Sequence, residues 1–281
     1  MRDLIVFGED FGGLPSSTQH LVRHLAKTHK VLWVNSIGLR QPKLSVKDVS
    51  RAFNKLLGKT NAVTQNMLDS NGQSNITVVN LKTIPAPASK LSRKLAQRMM
   101  LKQLKPIIAE LNLYAPILWT SLPTAVDLCG HLGESAVVYY CGDDFSALAG
   151  VDHQTITEHE SELIEKSDLI FAASKKLMTK FPEDKSQLLP HGVDVGLFST
   201  PTVRADDLPS NHRPIAGFYG SLSKWLDYEM IGHVASAMPE WDFVFIGPNE
   251  LDNLAIFRQA QNGVLVRMAL FALALGVEDK L

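Results

Sequence analysis

Short apolar runs recur along this chain, each followed by a longer polar or amphipathic stretch, and that alternation limits what it can fold into. The runs LIVF (4–7), VLWV (31–34), ITVV (76–79), PILW (116–119), AVVYY (136–140) and LIFA (169–172) are too short for helices. Strands apolar on both faces belong between two layers, as in a parallel sheet. Helices fit between them. One is capped by Ser16 or Ser17 and runs to about Lys27, and a basic one covers 46–57. A long basic helix over 90–111 is capped from the PAPAS stretch, others cover 123–131 and 153–166, and a short one follows Ser174. Such caps supply the oxygen that the first helical N–H groups lack. Strand and helix in alternation predict an α/β fold, a parallel sheet with helices on both faces.

A last strand at 187–189 leads into the turn HGVD (191–194), and the polar stretch STPTVRADDLPSNHR (199–213) follows. A fresh strand–helix–strand unit then opens, with strand 215–219, helix 225–237 and strand 243–246 ending at Gly247-Pro248. A chain of 281 residues accommodates two domains of unequal size. The expected boundaries are an N-terminal domain over 1–198, a linker over 199–213 and a partial C-terminal domain over 214–281.

Composition excludes several classes. Cys129 and Cys141 are the two cysteines, which allows neither a disulfide framework nor a cysteine metal cluster. The N-terminus lacks the apolar core of a signal peptide. The apolar run 264–275 contains Arg267 and falls short of the roughly 20 residues that span a bilayer. The expected location is cytoplasmic, and the sequon at Asn75 is read as chance. Net charge is −1, yet thirteen Lys or Arg and two acids, Asp48 and Asp69, fall between Arg40 and Lys105. That asymmetry points to an anionic surface partner. Val49, Phe53, Leu56 and Leu57 share one helical face beside Lys47, Arg51, Lys55 and Lys59. Leu91, Leu95 and Met99 share another beside Lys90, Arg93, Lys94, Arg98 and Lys102. Such helices either lie on an anionic membrane or face a core and solvate their charges. Few aromatics interleave with these charges, so nucleic acid is not expected.

Several loops follow strand ends. GEDFGGLP (8–15) is a ligand loop or a tight turn, and its glycine spacing is not the dinucleotide fingerprint. Gly142-Asp143-Asp144 follows AVVYY. Its carboxylates could take a hydroxyl proton, bind a metal or hold sugar hydroxyls, or Asp144 could cap the next segment. His191 could hydrogen-bond a phosphate or sugar, or a backbone carbonyl, and Asp194 reads as a turn residue. In GSLSK (220–224) a phosphate would sit against a helix starting near Trp225, with Lys224 adding charge. His20 and His24 are four apart with no glutamate beside His20, and read as helix-surface residues.

The segments GEDFGGLP, YYCGDDFSAL, LLPHGVDVGLF and IAGFYGSLSKWLD resemble GT-B glycosyltransferases, most closely the bacterial group-1 type of envelope and exopolysaccharide synthesis. The similarity covers about residues 1–260. It implies two Rossmann-like domains, the first on the acceptor side and the second binding a nucleotide-diphosphate sugar. It implies no metal and no cofactor, since helix N-termini and basic side chains hold the leaving diphosphate. By position, Gly12, Gly13, His191, Gly220, Ser221 and Lys224 would approach the donor phosphates. Asp143 and Asp144 would carry catalysis on the acceptor side. Ser221 stands where relatives often have arginine, and the family's paired glutamates have no counterpart. The stretch from Gln261 no longer resembles the family and reads as a truncated or frameshifted tail. The function implied is sugar transfer to a lipid-linked or polysaccharide acceptor. Lys47, Arg51, Lys55, Arg93 and Lys94 would face an anionic membrane on its cytoplasmic side, and the truncated chain could be inactive. The alternatives are a GT-B-like nucleotide-sugar epimerase and a non-catalytic nucleotide-binding fragment.

Overall fold

A computed structural model of the chain describes residues 2–13, 16–36, 65–67, 75–84, 87, 89–146, 153–223, 226–247 and 264–267. The expected basic helix over 46–57, with Lys47, Arg51 and Lys55, lies outside these residues, as does Lys224. The chain divides into two compact units, Met1–Thr200 and Pro201–Leu281.

The first unit is built on an eight-stranded sheet. Its strands are β1 (Leu4–Phe7), β2 (Val31–Val34), β3 (Gln65–Met67), β4 (Ile76–Val79), β5 (Ile117–Thr120), β6 (Ala136–Cys141), β7 (Leu169–Ala172) and β8 (Ser186–Leu188). They lie in the order β3-β4-β2-β1-β5-β6-β7-β8. Every pairing is parallel except β3 with β4. Leu4 stands opposite both Val31 and Ile117, which sets the register at the centre. From β1 the chain builds outward through β2 to β4, then returns to place β5 on the other side of β1. The strand order therefore reverses between β1 and β5, and open α/β sheets bind ligands outside the strand ends at such a point.

Alternation along the strands feeds two cores. Ile5, Phe7, Leu32, Val34 and Leu118 face one side, where they join α2 (Lys90–Glu110) through Ala96, Met100 and Leu104 and α3 (His153–Lys166) through Ile156 and Leu163. Leu4, Val6, Val31, Trp33 and Trp119 face the other, against α1 (Ser17–Leu25) through Val22. Burying each such Leu, Ile or Phe contributes about 1.5–3 kcal/mol.

The helices start where their caps dictate. Ser16 accepts a hydrogen bond from Gln19 N at the start of α1. Ser89 and Ser92 cap α2 reciprocally. Ser174 caps α4 (Lys175–Met178), and Asp194 caps α5 (Val195–Ser199). The helix expected over 123–131 is a 3-10 turn, Pro123–Leu128, closed off before Gly130, whose φ of +85° favours glycine.

Arg93 corrects an expectation. It does not face outward with Lys94. Its guanidinium turns toward Asp127 and Glu162, donating to Asp127 Oδ1 from Nη2 at 2.7 Å and to Glu162 from Nη1 and Nη2, each at 2.7 Å. The stripe of α2 that meets the sheet is Ala96, Met100 and Leu104, whereas Leu91 and Leu95 are exposed. Lys90, Lys94, Arg98 and Lys102 are exposed as well.

The second unit has three parallel strands in the order β11-β10-β9, with β9 at Ile215–Tyr219, β10 at Asp242–Ile246 and β11 at Val264–Arg267. Helix α6 spans Tyr228–Ala237. Leu222, Phe243 and Phe245 form its core with Phe218, Leu226 and Ile231. Gly220 and Gly247 follow neighbouring strands with φ of +145° and +151°. A Cβ on Gly247 would fall 2.0 Å from the Gly220 carbonyl oxygen. Backbone meets backbone there, which admits only glycine.

Candidate functional site at the strand ends

At the reversal point, the loop after β1 is tied down by side chains of the loop itself, of α1 and of β2 with the residue after it. Gly12 N–H donates to Gln19 Oε1 at 3.1 Å, and Gly13 N–H to the Asp10 carbonyl at 3.1 Å. Glu9 accepts from Ser16 and from Gln19 Nε2. Trp33 Nε1 donates to the Glu9 carbonyl at 3.0 Å, and Phe11 N–H to Asn35 Oδ1 at 2.9 Å. Gly12 has φ of +80°, so the turn itself asks for glycine. The N–H groups of Gly12 and Gly13 are thus occupied, by the Gln19 side chain and the Asp10 carbonyl.

Beside this loop, residues far apart in sequence meet. Ser17 Oγ lies 2.8 Å from His191 Nδ1, and Tyr140 Oη lies 3.1 Å from the same nitrogen. The Tyr140 and His191 rings meet edge to face, 6.3 Å between centroids at 89°. The imidazole also lies over Gly142, where a Cβ would stand 3.5 Å from Cε1. Thr18 Oγ1 and Ser121 Oγ are 2.9 Å apart, joining α1 to the end of β5. Ser17 opens α1 after the β1 loop, Tyr140 stands near the end of β6, and His191 lies in the turn after β8. His191 was singled out by sequence. Ser17 read only as a cap and Tyr140 only as part of a buried strand, so both were missed as members of the cluster.

The two aspartates differ. Asp143 is exposed, and its carbonyl accepts from Cys141 Sγ at 3.2 Å. Asp144 Oδ1 accepts from Ser146 Oγ at 2.6 Å, from Ser146 N–H at 3.1 Å and from Lys180 Nζ at 2.9 Å. The Ser146 hydroxyl, then Lys180, hold the Asp144 carboxyl down to about 2. A carboxylate so strongly held as an anion is a weak proton acceptor near neutrality. Its visible work is to cap the turn at Ser146 and anchor Lys180, the capping alternative of the sequence. Lys180 also approaches Glu160, 3.5 Å away, whose other oxygen accepts from the buried Tyr139 hydroxyl at 2.8 Å.

Burial pushes Cys129 up to about 12 and Cys141 up to about 11, leaving both as thiols. Among the described residues no group of three or more His, Cys, Asp or Glu is placed to hold a metal ion. A groove of about 390 Å³ opens at the opposite end of the sheet, beside the start of β6. Its charged side chains are spent on backbone: Glu134 on Gly130 and Leu132, Asp168 on Val137, Lys166 on Val126.

In the second unit the expected phosphate loop is reshaped. Helix α6 begins at Tyr228, three residues beyond Trp225, and Asp227 caps it by accepting from Met230 N–H at 2.9 Å. That carboxylate already serves the N–H groups where an anion was expected. Gly220 N–H donates to the Ile246 carbonyl at 2.9 Å, so Gly220 holds two strand ends together. Ser221 follows it, half-buried, beside the buried Leu222.

A mainly parallel sheet with its order reversed at β1, followed in the same chain by a second parallel βαβ unit, is the fold of the GT-B glycosyltransferases. A solved structure of Anabaena Alr3699/HepE in complex with UDP and glucose matches with a TM-score of 0.60 at 12% identity, over 95% of this chain and 69% of that one. By sequence, 158 residues are 25% identical to TuaH of Bacillus subtilis (strain 168), whose name assigns it provisionally to teichuronic acid biosynthesis as a glycosyltransferase. That match takes in 50% of this chain and 40% of TuaH, so the chain spans less than half the length of this relative. Over 39 residues the chain is 69% identical to the aspartate carbamoyltransferase catalytic subunit of Cellvibrio japonicus (strain Ueda107), covering 12% of that protein. No protein-family model matches the chain.

Proposed function

We propose that this chain is part of a glycosyltransferase that moves a sugar from a nucleotide-diphosphate donor to a lipid-linked or polysaccharide acceptor in envelope or exopolysaccharide synthesis. The observation that carries this is the gathering of Ser17, Tyr140 and His191 near the point where the strand order reverses. The fold shared with HepE, solved with UDP and glucose, and the match to TuaH support it. Neither relative favours the epimerase alternative.

In this proposal the first unit receives the acceptor, with Asp143 on its polar wall, and its His191 approaches the donor phosphates. Gly220 and Ser221 belong to the donor side. The leaving diphosphate is held by N–H groups and basic side chains, without a metal. The exposed face of α2, with Lys94 and Arg98 around Leu91 and Leu95, rests on an anionic membrane at its cytoplasmic side. No helix among the described residues is long and apolar enough to cross a membrane, so this contact would lie at the surface.

The test is a transfer assay with a panel of radiolabelled nucleotide sugars, beginning with UDP-glucose, and undecaprenyl-linked acceptors. Label passing to the lipid fraction is the expected result. Nucleotide binding with neither transfer nor donor hydrolysis would reject catalysis by this chain. Conversion of the donor to its epimer would replace the proposal outright.

A further inference from the structure

We propose that Tyr140 and Ser17 are positioning residues that fix the tautomer of His191, so that its Nε2–H faces outward as a donor to an anionic oxygen. The oxyanion is that of a phosphate or diphosphate, and to this extent the inference rests on the donor proposed above. Both hydroxyls converge on one ring nitrogen, Nδ1, at 2.8 and 3.1 Å. A phenol donates better than it accepts, because its oxygen shares its lone pair with the ring. In the proposed arrangement the Tyr140 O–H points into the Nδ1 lone pair, and that nitrogen carries no proton. A neutral imidazole has one N–H, which must then sit on Nε2. Burial raises the Tyr140 phenol above its ordinary range and keeps it protonated as a donor.

The ring is held on its other sides. It meets Tyr140 edge to face and lies over the bare backbone of Gly142. Nε2 has no protein partner among the described residues, and His191 is exposed. An imidazole clamped at one nitrogen and open at the other is a directed donor. Hydrogen bonds to charged groups contribute about 1.5–3 kcal/mol, or roughly ten- to a hundredfold in affinity.

Nitrogen-15 spectra of the histidine-labelled protein at pH 8 test this, with His191→Gln assigning the signal. The expected result is a pyridine-like Nδ1 and a protonated Nε2, with the preference lost in Tyr140→Phe and reduced in Ser17→Ala. Inorganic pyrophosphate and UDP, added separately, should each shift Nε2. His191→Gln, whose amide can place an N–H where Nε2 stands, should keep UDP affinity within about threefold, whereas His191→Ala should lose about tenfold or more. A protonated Nδ1 in the native protein, or an Nε2 that responds to neither anion, overturns the inference. A correct tautomer and a response to pyrophosphate, with UDP-glucose binding no tighter than pyrophosphate, would leave this inference standing and remove the nucleotide-sugar proposal instead.

Discussion

Replacing Arg93 by alanine should destabilise the first unit by about 3 kcal/mol. The Arg93 and Asp127 side chains are each only 16% exposed, and the guanidinium reaches both Asp127 oxygens as well as both Glu162 oxygens. Removing one member of a fully buried pair costs about 3–5 kcal/mol, because the other charge is left without a partner, and this part-buried pair falls at the bottom of that range. Glu162 is 41% exposed, so its share falls on the surface-pair scale of roughly 0–1 kcal/mol. Water entering the space left by the side chain would partly rehydrate Asp127, which places the total near the lower end. Equilibrium urea denaturation, followed by far-UV circular dichroism, reads the loss as a shift of the midpoint. About 3 kcal/mol is about a hundredfold in the folding equilibrium. The double change Arg93→Met with Asp127→Leu should recover most of it, since neither charge then remains buried. A loss under about 0.5 kcal/mol for Arg93→Ala would refute the argument, because that is how an ordinary surface residue behaves.

Three further outcomes follow from the same contacts. His159 is buried, neither ring nitrogen has a hydrogen-bond partner among the described residues, and burial, then Arg93, lowers its proton affinity below the usual 6.5. The unfolded chain therefore takes up the proton first. The stability present above about pH 6.5 should be lost as pH falls toward the lowered native value, and His159→Leu should flatten that slope in urea midpoints between pH 8 and 5. Gly247→Ala should cost about 2–4 kcal/mol through the clash at the Gly220 carbonyl and the left-handed backbone, read as faster proteolysis of the second unit with the first intact. Lys94→Glu with Arg98→Glu should weaken sedimentation with phosphatidylglycerol vesicles about tenfold without changing the urea midpoint, and unchanged sedimentation would remove the membrane proposal.

The parallel sheet was legible because each central strand is a short apolar run, and burial on both faces leaves no other use for such runs. β3 was not, because Gln65–Met67 is held by backbone pairing to β4 rather than by an apolar pattern. On α2 two stripes competed. Leu91, Leu95 and Met99 carried the larger side chains, yet the sheet took Ala96, Met100 and Leu104. Arg93 followed that stripe inward, where Asp127 and Glu162 lie 34 and 69 residues further along the chain. No local periodicity reports such partners. The start of α6 moved because Asp227 makes the better cap, a signal present in the sequence but outweighed by the glycine turn before it. The cluster at His191 was half legible: the turn residue stood out, but its partners are 174 and 51 residues away and meet it only through the strand order.

Equilibrium binding of radiolabelled UDP-glucose to the purified chain tests the central claim most directly. The account predicts saturable one-to-one binding that unlabelled UDP displaces, that EDTA leaves unchanged, and that His191→Ala weakens by about tenfold or more. Absence of saturable binding up to millimolar concentration, for this and for the ADP- and GDP-sugars, would contradict it.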